Sequence, residues 1–298
     1  MQTMTGLITK AISGFYYCRC GDTVYECRAR GVFRNEEITP LVGDRAVFEP
    51  EEDGRGFVTG ILERKNQFRR PPIANLDKLL IVAAVRQPVP SPLVIDKLTT
   101  VCEYKEIEPV IVITKTDLGD GSELEEIYRK AGFTVISLSN LETEDFAPVR
   151  ECLRGCVTAF AGNTGVGKSS LLNNVCPRLQ LETADISRKL GRGRHTTRHV
   201  ELFYIEELSG YVADTPGFGT MDMAQYELIR KDQLQYCFRE FEPYLNQCQF
   251  TGCSHTAEKG CRIRQALEDG EISRSRYESY LALYEEARQL KDWELEKR

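Results

Sequence analysis

The sequence predicts an α/β fold with a mostly parallel sheet, with a small β-barrel before it and a helical segment after it. Three observations support this prediction. The first 68 residues contain five short runs of β-branched and aromatic residues, separated by glycine turns. Residues 69–222 alternate apolar, strand-like runs with helix-like runs, which is typical of buried parallel strands. Residues 223–298 combine helical patterns with a cluster of cysteines.

The N-terminal segment, residues 1–68, is predicted to form a barrel of five strands. The strand-like runs cover residues 5–11, 15–20, 23–28, 45–49 and 56–61. An oligonucleotide-binding (OB) fold is the commonest barrel of this size, and an SH3-like barrel fits nearly as well. The basic stretch at 64–70 is interpreted as a solvated linker, with an RNA contact as the alternative.

The middle segment, residues 69–222, has the pattern of a sheet covered by helices on both faces. Predicted strands cover residues 78–85, 109–113, 133–136, 157–161, 200–205 and 210–213. Predicted helices cover residues 92–104, 123–131 and 170–175. Ligands of such sheets bind at the carboxyl ends of the strands.

The composition is that of a globular protein, with 41% hydrophobic and 28% charged residues and a net charge of −6. No apolar run is long enough to cross a bilayer, and the N-terminus lacks the pattern of a secretion signal. We therefore expect a cytoplasmic monomer with no membrane partner, in which the 11 cysteines are reduced. The negative net charge leaves only local basic patches for RNA binding.

A glycine-rich segment between a predicted strand and a predicted helix matches the phosphate-binding pattern G-x-x-x-x-G-K-[ST]. Glycines let successive N–H groups point inward at an anion, and the helix N-terminus adds partial positive charge. Lys168 is expected to reach the β- and γ-phosphates and to assist catalysis, and Ser169 to offer its hydroxyl to Mg²⁺. The predicted nucleotide-binding residues here are Gly162, Asn163, Thr164, Gly165, Val166, Gly167, Lys168, Ser169 and Ser170.

A second motif, Thr114-Lys115-Thr116-Asp117, directly follows a predicted strand and matches the guanine-reading pattern [NT]-K-x-D. Guanine presents two donors on one edge, N1–H and the N2 amine, and the Asp117 carboxylate can accept both. Lys115 is expected to lie along the base, whereas Thr114 stands where asparagine is commoner. Ser139 and Asn140 are predicted to form the short loop whose backbone supports the base. Together with the phosphate loop, the motif predicts binding of GTP and GDP.

Two later segments are predicted to sense the γ-phosphate. Asp214 is expected to hold Mg²⁺ through water, and the Gly217 N–H to face the γ-phosphate. The next residue, Phe218, cannot hydrogen-bond the attacking water, so another group or a partner has to order it.

The other predicted sensor is the basic segment at 187–199, which contains five Arg or Lys residues and no acid. Thr196 or Thr197 is expected to close over Mg²⁺ and the γ-phosphate. His195 is expected to order water or to stabilise charge during catalysis. A structural or RNA-facing imidazole is the alternative for His195.

The order of these motifs is unusual. The base reader and its supporting loop precede the phosphate loop, whereas in ordinary GTPases they follow it. The sequence therefore predicts a circularly permuted P-loop GTPase domain.

The C-terminal segment contains Cys248, Cys253, His255 and Cys261 within fourteen residues. Three thiolates and one imidazole are the ligands of a closed, structural zinc site. Such a site would hold together a small domain with little core of its own. The helices predicted here cover 232–241 and a segment that follows Ser273 as N-cap. One face of the second helix is predicted to carry Tyr277, Leu281 and Tyr284.

Taken together, the barrel, the permuted motif order and the Cys/His cluster resemble the bacterial family of ribosome small subunit-dependent GTPase A. This resemblance implies an OB fold for the barrel, a catalytic role for His195, and GTP hydrolysis stimulated by the small (30S) ribosomal subunit during its late maturation. The subunit and its rRNA are then the implied partners. Further shared motifs are Ile38-Thr39-Pro40-Leu41-Val42-Gly43-Asp44, Arg64-Lys65-Asn66, Arg70-Pro71-Pro72 and Gly193-Arg194-His195-Thr196-Thr197.

Two other functions remain open at this point. One is a GTP-gated RNA-binding module in which hydrolysis is incidental. The other is a metal-delivery GTPase that carries its cargo in the Cys/His cluster. A P-loop kinase is disfavoured because Asp117 reads guanine and no acid for a second substrate is evident.

Overall fold

The structure, a computed structural model, describes residues 3–30, 38–177, 200–214 and 228–290. The chain divides into two compact units. The first unit comprises residues 1–78, 146–160 and 172–218, and the second comprises residues 79–145, 161–171 and 219–298. The predicted borders at residues 68 and 222 stay predictions.

The described elements follow the predicted alternation closely. In chain order they are β1 (Met4–Ile12), β2 (Phe15–Cys20), β3 (Thr23–Ala29), β4 (Arg45–Pro50), β5 (Arg55–Ile61), β6 (Gln67–Arg69), β7 (Pro72–Ala74), β8 (Lys78–Ala84), α1 (Pro92–Tyr104), β9 (Glu108–Thr114), α2 (Ser122–Lys130), β10 (Thr134–Ser137), α3 (Ala147–Leu153), β11 (Val157–Ala161), α4 (Lys168–Val175), β12 (Glu201–Ile205), β13 (Gly210–Asp214), α5 (Arg262–Glu268) and α6 (Arg274–Arg288). None of these helices combines the length and the apolar composition that crossing a membrane requires.

Strands β1 to β5 of the first unit close into a barrel in the order β1-β2-β3-β5-β4-β1. Every neighbouring pair is antiparallel except β3 and β5, which are parallel. This closed order with one parallel pair is the OB-fold arrangement, so the five-strand prediction is confirmed and the SH3-like alternative is wrong. Ile8, Cys18, Cys27, Phe48 and Val58 fill the interior.

The basic stretch at 64–70 is only in part the solvated linker of our interpretation, since Lys65, Arg69 and Arg70 are exposed. Its residues Gln67–Arg69 form the first strand of the β6–β7 hairpin, which packs Phe68 and Ile73 into the core. Arg64 donates to both carboxylate oxygens of Asp44, at 2.7 Å each, and Asp44 is fully buried. Asn66, also buried, exchanges two hydrogen bonds with the Leu76 backbone. The RNA contact stays a prediction.

The remaining strands of the first unit extend from the barrel. Strand β11 pairs in parallel with β13, and β13 pairs with β12 in antiparallel orientation. Glu201 of β12 lies opposite Lys10 of β1, and their side chains form an ion pair of 2.8 Å. Helix α3 was missed because its seven residues bury only Val149 and Leu153, which is too few for a periodic signal.

The second unit is built on strands β8, β9 and β10. Strand β10 pairs in parallel with β9, and β8 is the neighbour of β9 on its other side. Strands β8 and β9 are buried over almost their whole length, as continuous apolar strands of a covered sheet must be. Helices α1 and α2 agree with their predicted positions to within one residue.

The predicted helix at 232–241 is wrong. Two short 3₁₀ helices, Leu234–Cys237 and Arg239–Tyr244, take its place. Phe238 between them is extended, with φ −116° and ψ 94°, and so interrupts the helical hydrogen bonding. The apolar residues of the predicted stripe still point inward, which is why the period suggested one helix.

Helix α6 begins after Ser273 as predicted, but it buries a different face. Its buried residues include Arg276, Tyr277, Tyr280 and Leu283, while Leu281 and Tyr284 are only half-buried. The face is rotated because the Arg276 guanidinium is drawn into the core by two acids, Asp96 and Glu240. A hydrophobicity pattern assigns charged residues to the exposed face, so it does not predict a buried arginine.

Candidate nucleotide site and metal centre

The glycine-rich loop connects the end of β11 to the start of α4, as the motif predicts. Gly162, Gly165 and Gly167 all have positive φ values, of 147°, 83° and 97°. A Cβ on Gly162 would lie 2.3 Å from the Val82 carbonyl oxygen, and one on Gly167 would lie 2.7 Å from Asn140 Nδ2. Both the backbone conformation and the available space therefore require glycine at these two positions.

The Lys168 side chain lies over this loop. Its ammonium group donates to the carbonyl oxygens of Gly162, at 2.7 Å, and Asn163, at 2.9 Å. Burial lowers the pKa of Lys168 because the charged form loses hydration. Thr164, Gly165 and Ser170 are exposed, and Ser169 is half-buried in the first turn of α4.

The base-reading motif lies at the carboxyl end of β9, in the same compact unit as the phosphate loop. Asp117 is exposed, and one of its carboxylate oxygens accepts a 2.6 Å hydrogen bond from the Ser139 hydroxyl. Ser139 is itself buried, and its hydroxyl oxygen accepts from the backbone N–H groups of Leu141 and Glu142. The structure thus brings the predicted base reader and the predicted base-support residue together.

Two other residues of the motif have backbone partners. Lys115 adopts a left-handed conformation, with φ 59°, and its ammonium group donates to the Gln87 carbonyl. Thr114 is fully buried, and its hydroxyl donates to the Val166 carbonyl of the phosphate loop at 2.6 Å. The Thr114 hydroxyl is therefore committed to the protein interior, and a contact with the base stays a prediction.

Of the other predicted switch residues, the structure describes only the backbone of Asp214. Asp214 ends β13 in the first unit. His195, Thr196, Thr197 and Gly217 lie outside the described residues.

Cys248, Cys253, His255 and Cys261 converge in the second unit, with their ligand atoms all within 4.8 Å of one another. The His255 Nδ1 atom is 3.5 Å from Cys248 Sγ and 3.4 Å from Cys261 Sγ, and the two sulfurs are 3.9 Å apart. A tetrahedron with metal–ligand bonds of about 2.0–2.3 Å has edges of roughly 3.3–3.8 Å, so the four donors fit a closed zinc site.

The surroundings of the cluster also suit a metal. Burial lowers the pKa of His255, which keeps the imidazole neutral, and raises the pKa of Cys253 to about 12. Deprotonating a thiol in that position calls for a nearby cation. The His255 Nε2 atom is 2.8 Å from Gln235 Oε1. An N–H at Nε2 that donates to this oxygen leaves Nδ1 free to bind the metal.

The loop that carries these ligands is ordered by one acid. The Glu258 carboxylate accepts hydrogen bonds from the backbone N–H groups of Ser254, Thr256 and Ala257. Burial alone would raise the pKa of Glu258, but the hydrogen bonds from Ser254 and its neighbours outweigh it and lower the value to about 2. The Tyr277 hydroxyl donates to the His255 carbonyl at 2.8 Å and joins the loop to α6.

Sequence reasoning missed the supporting contacts of three residues. Asn140 reaches the phosphate loop, where its Nδ2 donates to the Gly167 carbonyl at 3.1 Å. Gln235 and Glu258 support the metal ligands from outside the Cys/His motif. Asn140 was itself predicted in the base-support loop with Ser139, but its contact with the phosphate loop was not, and Gln235 and Glu258 had no signal in the sequence.

Known proteins resemble this chain over nearly its whole length. The family model described as the RsgA N-terminal domain matches residues 5–58, and that described as the RsgA GTPase matches residues 61–224. The small ribosomal subunit biogenesis GTPase RsgA of Geobacillus kaustophilus is 46% identical, over 96% of this chain and 98% of the relative. The protein of the same name from Bacillus cereus is 43% identical over the same shares.

Two solved structures have the same fold. The crystal structure of YloQ, described as a circularly permuted GTPase, is 36% identical with a TM-score of 0.80, covering 97% of this chain and 96% of that chain. The structure of YjeQ from Thermotoga maritima is 32% identical with a TM-score of 0.82, covering 97% of this chain and 100% of that chain. The predicted fold class is thereby confirmed. The chain belongs to the RsgA family of circularly permuted GTPases.

Proposed function

We propose that this GTPase binds the small ribosomal subunit, acts in its late maturation, and hydrolyses GTP to GDP and phosphate faster when the subunit is bound. One observation supports GTP binding best. The Thr114 hydroxyl of the base-reading motif donates a hydrogen bond to the Val166 carbonyl of the phosphate loop. The names of the relatives support the partner. The family-model matches at residues 5–58 and 61–224 support the proposed RNA-binding barrel at 1–68 and GTPase domain at 69–222, and the Cys/His cluster supports a zinc-binding helical domain at 223–298.

In this proposal the phosphate loop holds the nucleotide by its backbone. The N–H groups of residues 162–170 donate to the phosphate oxygens. The Lys168 ammonium group exchanges the Gly162 and Asn163 carbonyls for oxygens of the β- and γ-phosphates, which stabilises the charge that develops during transfer. Bound Mg²⁺ neutralises phosphate charge, and Ser169 and Asp214 are the residues that would hold it.

Guanine is recognised at the carboxyl end of β9. The Asp117 carboxylate accepts from N1–H and the N2 amine, and the Ser139 hydroxyl keeps that carboxylate in place. Thr114, Lys115 and Thr116 complete the wall of the base site. Guanine would desolvate the exposed Asp117 carboxylate on binding, so loss of the bidentate contact discriminates strongly against adenine.

Hydrolysis needs a group to order the attacking water, because Phe218 cannot do so. We assign this role to His195, with Thr196 or Thr197 closing over the phosphates and the Gly217 N–H contacting the γ-phosphate. Binding to the small subunit would bring this segment into its active arrangement. GTP turnover should therefore be slow without the small subunit and faster when the subunit is bound.

The cysteine cluster is proposed to hold zinc in a structural role. Four protein donors leave no vacant position for catalysis, and the packing of Tyr277 and Glu258 around the ligand loop disfavours release of the metal as cargo. The barrel and the zinc segment are the proposed contacts with rRNA. We place the protein in the cytoplasm as a monomer.

The test is GTP turnover by the purified protein alone, with small ribosomal subunits, and with large subunits as the control. We expect slow basal turnover that rises only with small subunits. Fast unassisted turnover, or equal stimulation by both subunits, would contradict the proposed partner.

The alternative function, a GTP-gated RNA-binding module, is favoured by the absence of a water-ordering side chain at Phe218. The variant His195→Ala separates the two functions. Loss of stimulated turnover with retained GTP binding supports the enzyme, whereas full stimulated turnover would favour the binding module.

A further inference from the structure

Two side chains from the guanine-binding segments hold consecutive carbonyl groups of the phosphate loop. The Thr114 hydroxyl donates to the Val166 oxygen at 2.6 Å. The Asn140 amide donates to the Gly167 oxygen at 3.1 Å. All four residues belong to the second compact unit. Neither contact is part of the phosphate-loop motif, which specifies only glycine, lysine and hydroxyl residues.

These contacts set the direction of two N–H groups. In a trans peptide the carbonyl and the following N–H point in opposite directions within one rigid plane. A donor on the Val166 oxygen therefore aims the Gly167 N–H, and a donor on the Gly167 oxygen aims the Lys168 N–H. Both N–H groups lie in the part of the loop whose backbone, in this motif, binds the α- and β-phosphates.

The local packing leaves little freedom in this arrangement. The Thr114 side chain is fully buried, and its oxygen is also 3.3 Å from the Ala83 carbonyl. Gly167 has φ 97°, and a Cβ there would come within 2.7 Å of Asn140 Nδ2. The Gly167 oxygen also accepts the first α4 hydrogen bond, from the Leu171 N–H at 2.9 Å. Asn140 thus contacts the phosphate loop at the peptide where the helix begins.

We propose that Thr114 and Asn140 are positioning residues that orient the β-phosphate-binding N–H groups of Gly167 and Lys168. Thr114 is the first residue of the base-reading motif, and Asn140 follows Ser139, whose hydroxyl donates to Asp117. Guanine recognition and β-phosphate recognition therefore share one hydrogen-bonded support. This inference rests on the proposed role of the phosphate loop.

The test compares binding of GDP and GMP to the full chain by isothermal titration calorimetry. Asn140→Leu removes the amide donor at similar volume, and Thr114→Val removes the hydroxyl at similar shape. Each is expected to reduce the ratio of GDP to GMP affinity by about fivefold to tenfold, because only GDP carries the β-phosphate. Thr114→Ser keeps the hydroxyl and is expected to keep most of this ratio. Glu144→Gln, at an exposed position in the following loop, is the matched control.

The possible results distinguish failure of the positioning role from failure of the proposed phosphate loop. Equal loss of GDP and GMP affinity in the variants, or an unchanged ratio, would overturn the positioning role. A wild-type chain that binds GDP no more tightly than GMP would overturn the proposed phosphate loop and this inference with it. Asn140 is only half-buried, so Asn140→Leu keeps the inference falsifiable if Thr114→Val fails to fold.

Discussion

At the scale of single residues, both the candidate nucleotide site and the candidate metal centre depend on side chains that hold functional side chains in place. Asp117 carries the proposed guanine contact, but the Ser139 hydroxyl fixes its carboxylate at 2.6 Å. His255 is a proposed zinc ligand, and Gln235 lies 2.8 Å from its second ring nitrogen. In both cases a neutral polar group keeps the functional group in one orientation, which reduces the entropy lost on binding.

The variant Asp117→Asn should lose the preference for guanine. An amide presents only one acceptor oxygen, and its NH₂ group faces the donors of guanine. We expect the affinity for GTP to fall by at least about 100-fold, measured with a fluorescent nucleotide analogue. Asp120→Asn, three residues further on and also exposed, is the control. An unchanged preference for GTP over ATP would rule out Asp117 as the base reader.

The variant Gln235→Leu should weaken zinc binding without removing a ligand. The His255 Nε2–H loses its acceptor, so the ring is less firmly oriented and less basic. Loss of such a partner costs about 10-fold to 100-fold in metal affinity, which competition with a chromophoric chelator would measure. Cys261→Ser should abolish stoichiometric zinc, and Cys156→Ser, outside the cluster, should leave it intact. Equal zinc affinity in Gln235→Leu and wild type would contradict the supporting role.

At the scale of elements, helix α6 is joined to α1 through buried charge. Arg276 is fully buried and donates to Asp96 of α1 at 2.7 Å and to Glu240 at 2.7 Å. The Tyr128 hydroxyl adds a 2.9 Å hydrogen bond to Asp96, and the guanidinium lies 4.7 Å from the centre of the Phe238 ring. The cost of burying these charges is offset only while every partner is present.

Removing one partner of this network should therefore be strongly destabilising. In Arg276→Met, the carboxylates of Asp96 and Glu240 remain buried without their cation. We expect the free energy of unfolding to fall by about 3–5 kcal/mol, with a clear drop in Tm measured by circular dichroism. Arg274→Met, at an exposed position of the same helix, should change the free energy of unfolding by less than about 0.5 kcal/mol. Equal loss in the two variants would contradict the network.

At the scale of the whole molecule, the net charge limits which residues can bind a ribosomal subunit. The net charge of −6 repels rRNA, so binding has to come from local groups of Lys and Arg. Several Lys and Arg side chains near the barrel are already used internally, as Arg64 is by Asp44. The phosphate contacts must therefore be made by residues outside these ion pairs.

Binding to small subunits should accordingly depend steeply on salt. Neutralising even a few phosphates releases counterions, so affinity should fall by at least about tenfold between 50 and 200 mM monovalent salt. GDP binding, measured over the same range, should change far less because the phosphate loop uses fixed backbone donors. A flat salt response of subunit binding, from co-sedimentation, would argue against an rRNA contact.

Most of the architecture and much of the site are local properties that the sequence determined by itself. The period of apolar residues places the barrel strands, α1 and the strands of the parallel sheet because burial of one face is a property of each segment. The phosphate loop, the base reader and the Cys/His cluster are equally local, since their chemistry requires fixed spacings. Their order along the chain sufficed to predict the circular permutation.

Only the tertiary structure decided which side chains support these motifs. Asn140 on Gly167, Gln235 on His255 and Arg276 on Asp96 join residues that are 20 to 180 positions apart in the chain. Each of these polar contacts forms only when the chain folds, so neither the period of apolar residues nor the spacing of a motif predicts it. The buried face of α6 has the same cause, because the ion pair of Arg276 with Asp96 is not part of an apolar pattern. The extended backbone at Phe238 is equally absent from the period of apolar residues.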